Sequence, residues 1–341
     1  MKVTRQANGS KKTQASGKCN KEKEEKLKTS FRTSFPRRSA GPFDWDERQA
    51  RKGKGTHVPE GNEVHRYAKL HTATFAGKTI CVESPNGRFP GAALLTGRKL
   101  KSVMAHGKHL AYDFGRDRKL HIHLGRFGDF TEGKMPFPEV KGVLRMRWST
   151  ATDWLELRGA TDISVYSDAQ WQAVEARLGP DPLAPHADPS VAIAYIRKAN
   201  TAIAALLMDQ TVFAGIGNIY RAELLYRARQ NPFVRGKDVT EKTLNALWRD
   251  AVKLMSDGMV DRRIVTTRAK DRPHPKGKAQ PQEVHYVYRR HGQPCFVCGT
   301  TIQREDLAGR TLYWCPTCQA AEVTSRPSTP GPNPKSKQMS R

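Results

Sequence analysis

Four of the six cysteines form two C-x-x-C pairs near the end of the chain, Cys295 with Cys298 and Cys315 with Cys318. Such a turn presents two thiolates together, and two turns supply the four ligands of a tetrahedral zinc site. Two disulfides or four reduced core thiols are the alternative interpretations. Because four protein ligands leave no position for a catalytic water, the pairs predict one structural Zn²⁺.

A second candidate is a glycine-rich turn, QTVFAGIGN at 210–218, between two apolar segments of helical period. Gly215 and Gly217 permit positive φ and close approach of another backbone. The free N–H groups at the start of the following helix suit a phosphate, and Asn218 is a candidate N-cap or phosphate donor. Arg310, in the turn between the cysteine pairs, is a further candidate phosphate ligand. The alternatives are a tight connection and a solvated turn arginine.

The charge of the chain favours a nucleic-acid partner. Lys and Arg number 59 against 33 Asp and Glu, a net charge of +26. Residues 1–57 carry +10 and residues 321–341 carry +3, so the middle keeps 26 − 10 − 3 = +13. A basic body, rather than basic tails alone, predicts a polyanionic partner. No apolar run is long enough for a membrane helix and no secretory signal is evident, so we expect a cytoplasmic protein.

The elements that must position these residues follow from hydrophobic periodicity. Residues 64–77 predict an amphipathic helix, and residues 78–165 predict an antiparallel β domain of short strands. The Pro-rich LGPDPLAP at 178–185 is the best domain boundary. Three helices are expected at 190–209, 220–230 and 240–260, followed by a polar, basic loop at 268–283. The fold class is α+β.

This pattern divides the chain into five parts. We expect a disordered basic extension at 1–58, an antiparallel β-sandwich domain with flanking helices at 59–180, and a helical domain at 181–284. A zinc finger at 285–320 and a disordered tail at 321–341 complete the chain. Cys19 and Cys81 are assigned no function.

Four motifs, in order, resemble the formamidopyrimidine-DNA glycosylase and endonuclease VIII family. DQTVFAGIGNIYRAELLYRAR is similar to its helix–two-turn–helix, and HYVYRRHGQPC with the four cysteines is similar to its zinc-finger β-hairpin. PEGNE at 59–63 resembles the start of those enzymes, and GKHL at 107–110 resembles their lysine-bearing hairpin. The resemblance extends over about 59–320.

The resemblance implies a bifunctional DNA glycosylase and abasic-site lyase of base excision repair. Pro59 would be the nucleophile, Glu60 the acid/base, Lys108 the phosphate and charge stabiliser, and Glu63 a second carboxylate that organises the site. Asn218 and Arg310 would grip the phosphates beside the flipped nucleotide. The partner would be double-stranded damaged DNA, bound by a bacterial monomer.

Pro59 conflicts with this role, because an internal proline nitrogen is a tertiary amide without a nucleophilic lone pair. The full chain is inactive, or it is processed before Pro59, or the start at Met1 is mis-assigned. We favour the third explanation, since a GTG codon at Val58 would be read as methionine at initiation. A genuine basic DNA-binding extension is the alternative.

The sequence also departs from the family pattern. Arg126 stands where members usually place Met or Leu in the residues that fill the gap left by the flipped base, and Phe127 is a candidate wedge. Arg126 as a simple phosphate contact is the alternative. The 268–283 segment does not resemble the loop over an oxidised purine, which favours the endonuclease VIII-like branch and oxidised pyrimidines. An oxidised-purine glycosylase and a non-catalytic damaged-DNA-binding protein remain open, and a zinc-ribbon RNA-binding protein is a weaker alternative.

Overall fold

The computed structural model describes residues 59–320. The expected extension at 1–58, which includes Cys19, and the expected tail at 321–341 lie outside the described residues. The helices are α1 Gly61–Phe75, α2 Ala92–Leu95, α3 Asp168–Arg177, α4 Ser190–Ile196, α5 Ile203–Leu206, α6 Asn218–Arg227 and α7 Glu241–Asp261. The strands are β1 Thr79–Glu83, β2 Arg98–Lys99, β3 Ser102–His106, β4 His109–Asp113, β5 Lys119–His123, β6 Asp129–Lys134, β7 Met146–Ser149, β8 Asp153–Arg158, β9 Asp162–Tyr166, β10 Gln303–Leu307 and β11 Arg310–Trp314.

The first half of the described chain is an antiparallel β-sandwich. One sheet has the order β2-β1-β7-β8-β6 and the other the order β3-β4-β5-β9. Alternate residues of both sheets point into one shared apolar core, as the period of two in strands requires. Trp148 of β7 and Tyr112 of β4 meet there edge to face, with ring centroids 4.9 Å apart. The predicted sandwich and the α+β class are confirmed.

Helix α1 carries the start of the described chain onto the sandwich. Val64, Tyr67, Ala68 and Phe75 recur at helical spacing and are buried. Full burial of a side chain such as Val64 or Phe75 contributes roughly 1.5–3 kcal/mol. The helix ends at Phe75, and Gly77 then adopts a φ of +81° that permits the turn into β1. The apolar face of α1 therefore fixes Pro59 and Glu60 at one edge of the sandwich.

The helical region differs from the prediction in one place. The segment 190–209 is not one helix but two short ones, α4 and α5. The chain between them turns away because the carbonyl groups of Ala199 and Thr201 accept hydrogen bonds from Lys237 and Gly236. Tertiary hydrogen bonds thus override the helical period. Helix α7 matches the prediction, and its N-cap Thr240 accepts a bond from the Thr243 amide.

Residues 268–283 are more ordered than the predicted loop. They contain two short 3₁₀ helices, Ala269–Asp271 and Pro281–Glu283. Glu283 is buried and accepts bonds from the amide and the ring of His274, which closes the segment on itself. Beyond it, β10 and β11 form the predicted hairpin, with Gly309 at a φ of +70° in its turn. Within residues 59–320, no helix is both long and apolar enough to cross a membrane.

Candidate functional site

Three glycines bring three separate elements into backbone contact. They are Gly61 at the start of α1, Gly107 in the β3–β4 hairpin, and Gly215 in the turn before α6. A Cβ on Gly61 would lie 2.8 Å from the Gly215 Cα, and a Cβ on Gly107 would lie 3.0 Å from the Gly215 nitrogen. The Gly61 amide donates to the Gly215 carbonyl at 3.0 Å. Only residues without a side chain allow this approach, so the glycines set the geometry of their neighbours Glu60, Lys108 and Gly217.

The Glu60 carboxylate caps the N-terminus of α6. It is 1% exposed. Its oxygens accept hydrogen bonds from the amides of Gly217 at 3.0 Å, Ile219 at 2.7 Å and Tyr220 at 3.3 Å. Burial raises the pKa of Glu60, while nearby Lys108 and these amides oppose that rise. A carboxyl with a raised pKa holds its proton to higher pH than an ordinary glutamate, as a general acid requires.

Lys108 lies at the tip of the β3–β4 hairpin and points into the same junction. Its Nζ donates to the Ile216 carbonyl at 2.7 Å. That carbonyl and the Gly217 amide belong to one peptide group, which therefore binds Lys108 at one end and Glu60 at the other. Burial lowers the pKa of Lys108 to about 8, Glu60 raises it and Arg310 lowers it further. Lys108 is therefore held by a backbone acceptor beside Glu60.

Pro59 and Glu63 flank the Glu60 site. Pro59 is buried beside it, in extended chain before α1. Glu63 is 8% exposed and accepts from Arg66 Nε at 3.0 Å, so it is an ion-paired residue of the first helical turn. The structure therefore brings Pro59, Glu60, Glu63 and Lys108 to one location, which is the grouping that the family resemblance implies.

The zinc-finger hairpin contacts the start of α6. Asn218 Nδ2 donates to the Thr311 carbonyl at 2.9 Å, and Gly217, not Asn218, is the N-cap. Arg221, which the sequence analysis did not select, is fully buried behind Asn218 and also donates to the Thr311 carbonyl. Arg310 is exposed at the start of β11, close enough to affect the pKa of Lys108. Asn218 and Arg310 therefore lie on the same side of the molecule as Lys108.

Arg126 and Phe127 occupy the exposed turn after β5. Phe127 is 71% exposed, an unusual position for a large apolar ring. The Arg126 guanidinium lies 5.5 Å from the centre of the Phe127 ring. This pair presents a flat apolar and cationic surface that could stack on bases.

The four cysteines fit a structural zinc ion. All four Sγ atoms lie within 4.8 Å of one another, with Cys298 and Cys315 3.4 Å apart and Cys295 and Cys318 3.9 Å apart. Tetrahedral zinc with Zn–S bonds of about 2.3 Å requires sulfurs about 3.8 Å apart, whereas a disulfide requires about 2.05 Å. The Tyr226 hydroxyl lies 3.1 Å from Cys295 Sγ, a position from which it can donate to a thiolate. The zinc prediction is confirmed and the disulfide alternative is wrong.

Sequence patterns did not reveal two buried carboxylates near these residues. Asp181 lies in the predicted domain boundary and is 1% exposed, and Glu223 lies within α6 and is fully buried. Both accept several backbone amides. No local signal distinguishes them, because a carboxylate in a Pro-rich linker or on an amphipathic helix is ordinarily solvated.

A cavity of about 400 Å³ lies beside the site. Its lining includes Ile219, whose amide binds Glu60, together with Ile264, Tyr288, Arg263 and His285. The mixture of apolar, aromatic and cationic groups is typical of pockets for flat polar ligands.

Family models match almost all of the described chain. The formamidopyrimidine-DNA glycosylase N-terminal domain matches residues 58–162, its H2TH domain residues 178–269, and the zinc finger found in FPG and IleRS residues 292–321. The chain belongs to the formamidopyrimidine-DNA glycosylase and endonuclease 8 family. Its members are DNA repair enzymes, and this chain is a DNA glycosylase of that family with one structural zinc.

Individual relatives agree. Endonuclease 8 1 of Mycobacterium tuberculosis is 44% identical over 268 residues, 77% of this chain and all of that protein. Formamidopyrimidine-DNA glycosylase of Thermus thermophilus is 30% identical over 274 residues, 77% of this chain and 98% of that protein. The Lactococcus lactis Fpg in complex with DNA containing an abasic site is similar in fold, with a TM-score of 0.64, 23% identity, and coverage of 77% of this chain and all of that one.

Proposed function

We propose that this protein is a bifunctional DNA glycosylase and abasic-site lyase that removes oxidised bases, with oxidised pyrimidines favoured. The observation that carries the proposal is the Ile216–Gly217 peptide group. Its carbonyl binds the Lys108 ammonium and its amide binds the Glu60 carboxylate, immediately beside Pro59. An amine nucleophile, a proton-exchanging carboxyl and a partly buried cation are the groups that cleavage of a sugar–base bond requires.

The proposed reaction begins at the Pro59 nitrogen. Its lone pair bonds to the sugar C1′, and the C1′–base bond breaks. The base leaves with that electron pair and takes up the proton that the amine gives up. Glu60 delivers a proton to O4′ as the sugar ring opens and the amine loses its own, which leaves an imminium at C1′. Loss of a C2′ proton then expels the 3′ phosphate and cuts the strand. Lys108 offsets the developing phosphate charge, and Glu63 with Arg66 holds the first turn of α1.

Pro59 can act only when its nitrogen is a secondary amine. In the full chain it is joined to Val58, so its lone pair is delocalised into a peptide bond. We propose that the active enzyme begins at Pro59. This same peptide bond supports a second candidate function for the full-length chain, which is binding of damaged DNA without excision.

The DNA partner follows from the charges around the junction. Asn218 and Arg310 lie beside Lys108 and are proposed to hold phosphates on either side of the extruded nucleotide. Arg126 and Phe127 are proposed to fill the gap that it leaves in the duplex, since unstacking a base requires a replacement surface. We propose that a monomer binds double-stranded DNA.

The lesion class rests on two observations. Relatives that are 44% identical to this chain carry the name Endonuclease 8. Those named formamidopyrimidine-DNA glycosylase are 28% to 32% identical to it. The cavity beside Ile219 offers Arg263, His285 and Tyr288 to an extruded base. Base removal by the formamidopyrimidine branch, which acts on oxidised purines, is the competing specificity.

The test compares two proteins that differ only at the N-terminus. One begins at Pro59 after removal of an initiator methionine, and the other is the full 341-residue chain. Each is incubated with duplexes that contain an oxidised pyrimidine, an oxidised purine or an abasic site, with and without borohydride. We expect the Pro59-started protein alone to release bases and form reduced covalent adducts, fastest with the pyrimidine lesion. Absence of any adduct from that protein would leave only the binding function.

A further inference from the structure

The Pro-rich linker between the two halves of the molecule contains a buried charge. Residues 179–183 read Gly-Pro-Asp-Pro-Leu. Asp181 stands between two prolines, whose fixed φ angles limit its backbone freedom. A linker carboxylate is ordinarily solvated, yet Asp181 is only 1% exposed. Burial of a charge costs free energy unless specific partners bind the charged group.

Those partners join three elements. Asp181 Oδ2 accepts from the Gly107 amide at 2.6 Å and from His65 Nε2 at 2.7 Å, and Oδ1 accepts from the Leu183 amide at 2.8 Å. Gly107 directly precedes Lys108, and His65 lies on α1 one turn after Glu60. The carboxylate thus connects the lysine hairpin, the helix that follows Pro59, and the linker.

The linker backbone extends the same connection to the turn before α6. Gly179 accepts from His106 Nε2 at 3.2 Å and donates to the Gln210 carbonyl at 2.9 Å, while the Pro180 carbonyl accepts from the Ala214 amide at 3.0 Å. The Gln210 side chain in turn donates to the Ile216 carbonyl at 2.8 Å. That carbonyl is the acceptor of the Lys108 ammonium. The linker is therefore hydrogen-bonded both to the hairpin that carries Lys108 and to the turn that carries the Ile216 carbonyl.

We propose that Asp181 is a positioning residue for the reaction, which holds the Gly107 amide so that Lys108 stays docked on the Ile216 carbonyl. The importance of this contact for catalysis rests on the proposed function, but the position of Lys108 can be measured without activity. The position of the Lys108 ammonium would then depend on how the linker places the two domains relative to each other. Misplacement of a catalytic group by about 1 Å can cost on the order of 100-fold in rate.

Asparagine cannot replace Asp181 in this environment. The two carboxylate oxygens face different backbone donors, Gly107 on one side and Leu183 on the other. An amide offers one oxygen and one NH₂ group, so one backbone N–H would face another donor. The Gly107 contact or the Leu183 contact must therefore be lost, and the hairpin is released when it is the former.

Release of the hairpin changes the titration of Lys108. The charged or titratable groups that face Lys108 are Glu60 before α1, Arg310 of the finger hairpin and His123 of β5. Burial is the main reason that its pKa is about 8 rather than 10.5. A loosened hairpin exposes the ammonium to water, which raises the pKa. Lys108 would then stay charged at higher pH, and a reaction step that needs this charge would extend to more alkaline conditions even as its rate falls.

The experiment follows the Lys108 pKa by NMR of ¹³Cε-labelled lysine in the zinc-loaded full chain, with the signal assigned by its loss in Lys108→Arg. The variants are Asp181→Ala, Asp181→Asn and, as a matched control, Asp188→Asn, whose carboxylate binds only Ser190 among the described residues. We expect a pKa near 8 in the wild type and the control, and a shift toward 10.5 in Asp181→Ala, which removes both acceptor oxygens. Asp181→Asn should show the same shift when its NH₂ group replaces the oxygen that faces Gly107. In the Pro59-started protein, we expect borohydride trapping by Asp181→Ala at pH 7 to fall by about 10- to 100-fold, with its alkaline limit moved upward.

Asp181→Ala decides the outcome even where asparagine keeps the Gly107 contact, because it removes both acceptor oxygens. An unchanged Lys108 pKa in folded Asp181→Ala would overturn the proposal. If that variant does not fold, His65→Leu and the conservative His65→Gln carry the test, and only the former should raise the Lys108 pKa. No shift in His65→Leu would count equally against the proposal. A wild-type protein that forms no adduct would defeat the proposed function while the NMR result still decides the role of Asp181.

Discussion

Two buried carboxylates, Glu60 at the N-terminus of helix α6 and Glu223 within that helix, make nearly the same contacts and face different surroundings. Glu60 accepts the amides of Gly217, Ile219 and Tyr220, and Glu223 accepts the amides of Tyr286, Val287 and Tyr288. Both are almost fully buried. Glu223 also accepts the Thr266 hydroxyl, so each of its oxygens has two donors.

The difference lies in what else each carboxylate meets. Glu60 has one oxygen with a single donor, and it lies beside the Lys108 ammonium and the buried Pro59. Burial raises the pKa of Glu60, so this carboxyl binds a proton more strongly than an ordinary glutamate does. Glu223 is saturated by fixed donors and connects α6 to the segment that leads into the zinc finger. Under the proposed function, the same local geometry would thus serve chemistry at Glu60 and architecture at Glu223.

The largest expected effect is that of Glu60→Gln on base excision, which distinguishes the role of Glu60 from that of Glu223. Glu60→Gln in the Pro59-started protein should slow base excision by about 100- to 10,000-fold, because it removes the proton donor. DNA affinity should change little. Excision kinetics under single-turnover conditions measure this, with Glu139→Gln on the exposed β6–β7 connection as the control. Excision at near wild-type rate would show that Glu60 is structural like Glu223.

Glu223→Gln should have the opposite profile. Its amide group would face two donors, which costs about 1–3 kcal/mol of the free energy of unfolding. The Glu60 junction remains intact, so the folded fraction should still form the covalent adduct. Urea unfolding of the zinc-loaded protein, compared with Glu60→Gln, gives the difference in stability. A stable Glu223→Gln that has lost adduct formation would reverse the assignment.

Arg310→Ala extends the comparison to the DNA surface on the Glu60 side of α6. Loss of one phosphate contact should weaken DNA binding and reduce the slope of log affinity against log salt by about one. The unfolding free energy should be unchanged, since Arg310 is exposed. The charge-matched control is Arg116→Ala in the β4–β5 turn, because the Arg116 side chain is 94% exposed. A loss of affinity that does not depend on salt would contradict the phosphate role.

The smallest expected effect concerns Phe127. Phe127→Ala should slow excision of a damaged base several-fold, because the flipped-out state loses a replacement stacking surface. Cleavage at an abasic site, which has no base to extrude, should be less affected. The ratio of the two rates is the measurement, with exposed Leu94→Ala as the control. An equal effect on both substrates would place Phe127 outside the gap-filling role.

The sequence predicted those parts of the site that depend on residue type and local spacing. Two C-x-x-C pairs specify zinc wherever the chain brings them together, and the glycines at 215 and 217 mark a close backbone approach. It did not predict Glu223, Arg221 or Asp181, because their burial arises from segments more than 60 residues away in the chain. The split of 190–209 into α4 and α5 has the same origin, since Lys237 and Gly236 decide it. Cys81 takes no part in the site, and its sulfur lies 3.9 Å from the Thr96 hydroxyl.

The most direct test of the account is the identity of the residue that carries DNA after borohydride trapping. The Pro59-started protein is reduced on abasic-site DNA, digested with trypsin and mapped by mass spectrometry. We expect the sugar remnant on the nitrogen of Pro59, within the peptide of residues 59–66. An adduct on Lys108 or on another lysine would contradict the assignment of Pro59 as the nucleophile.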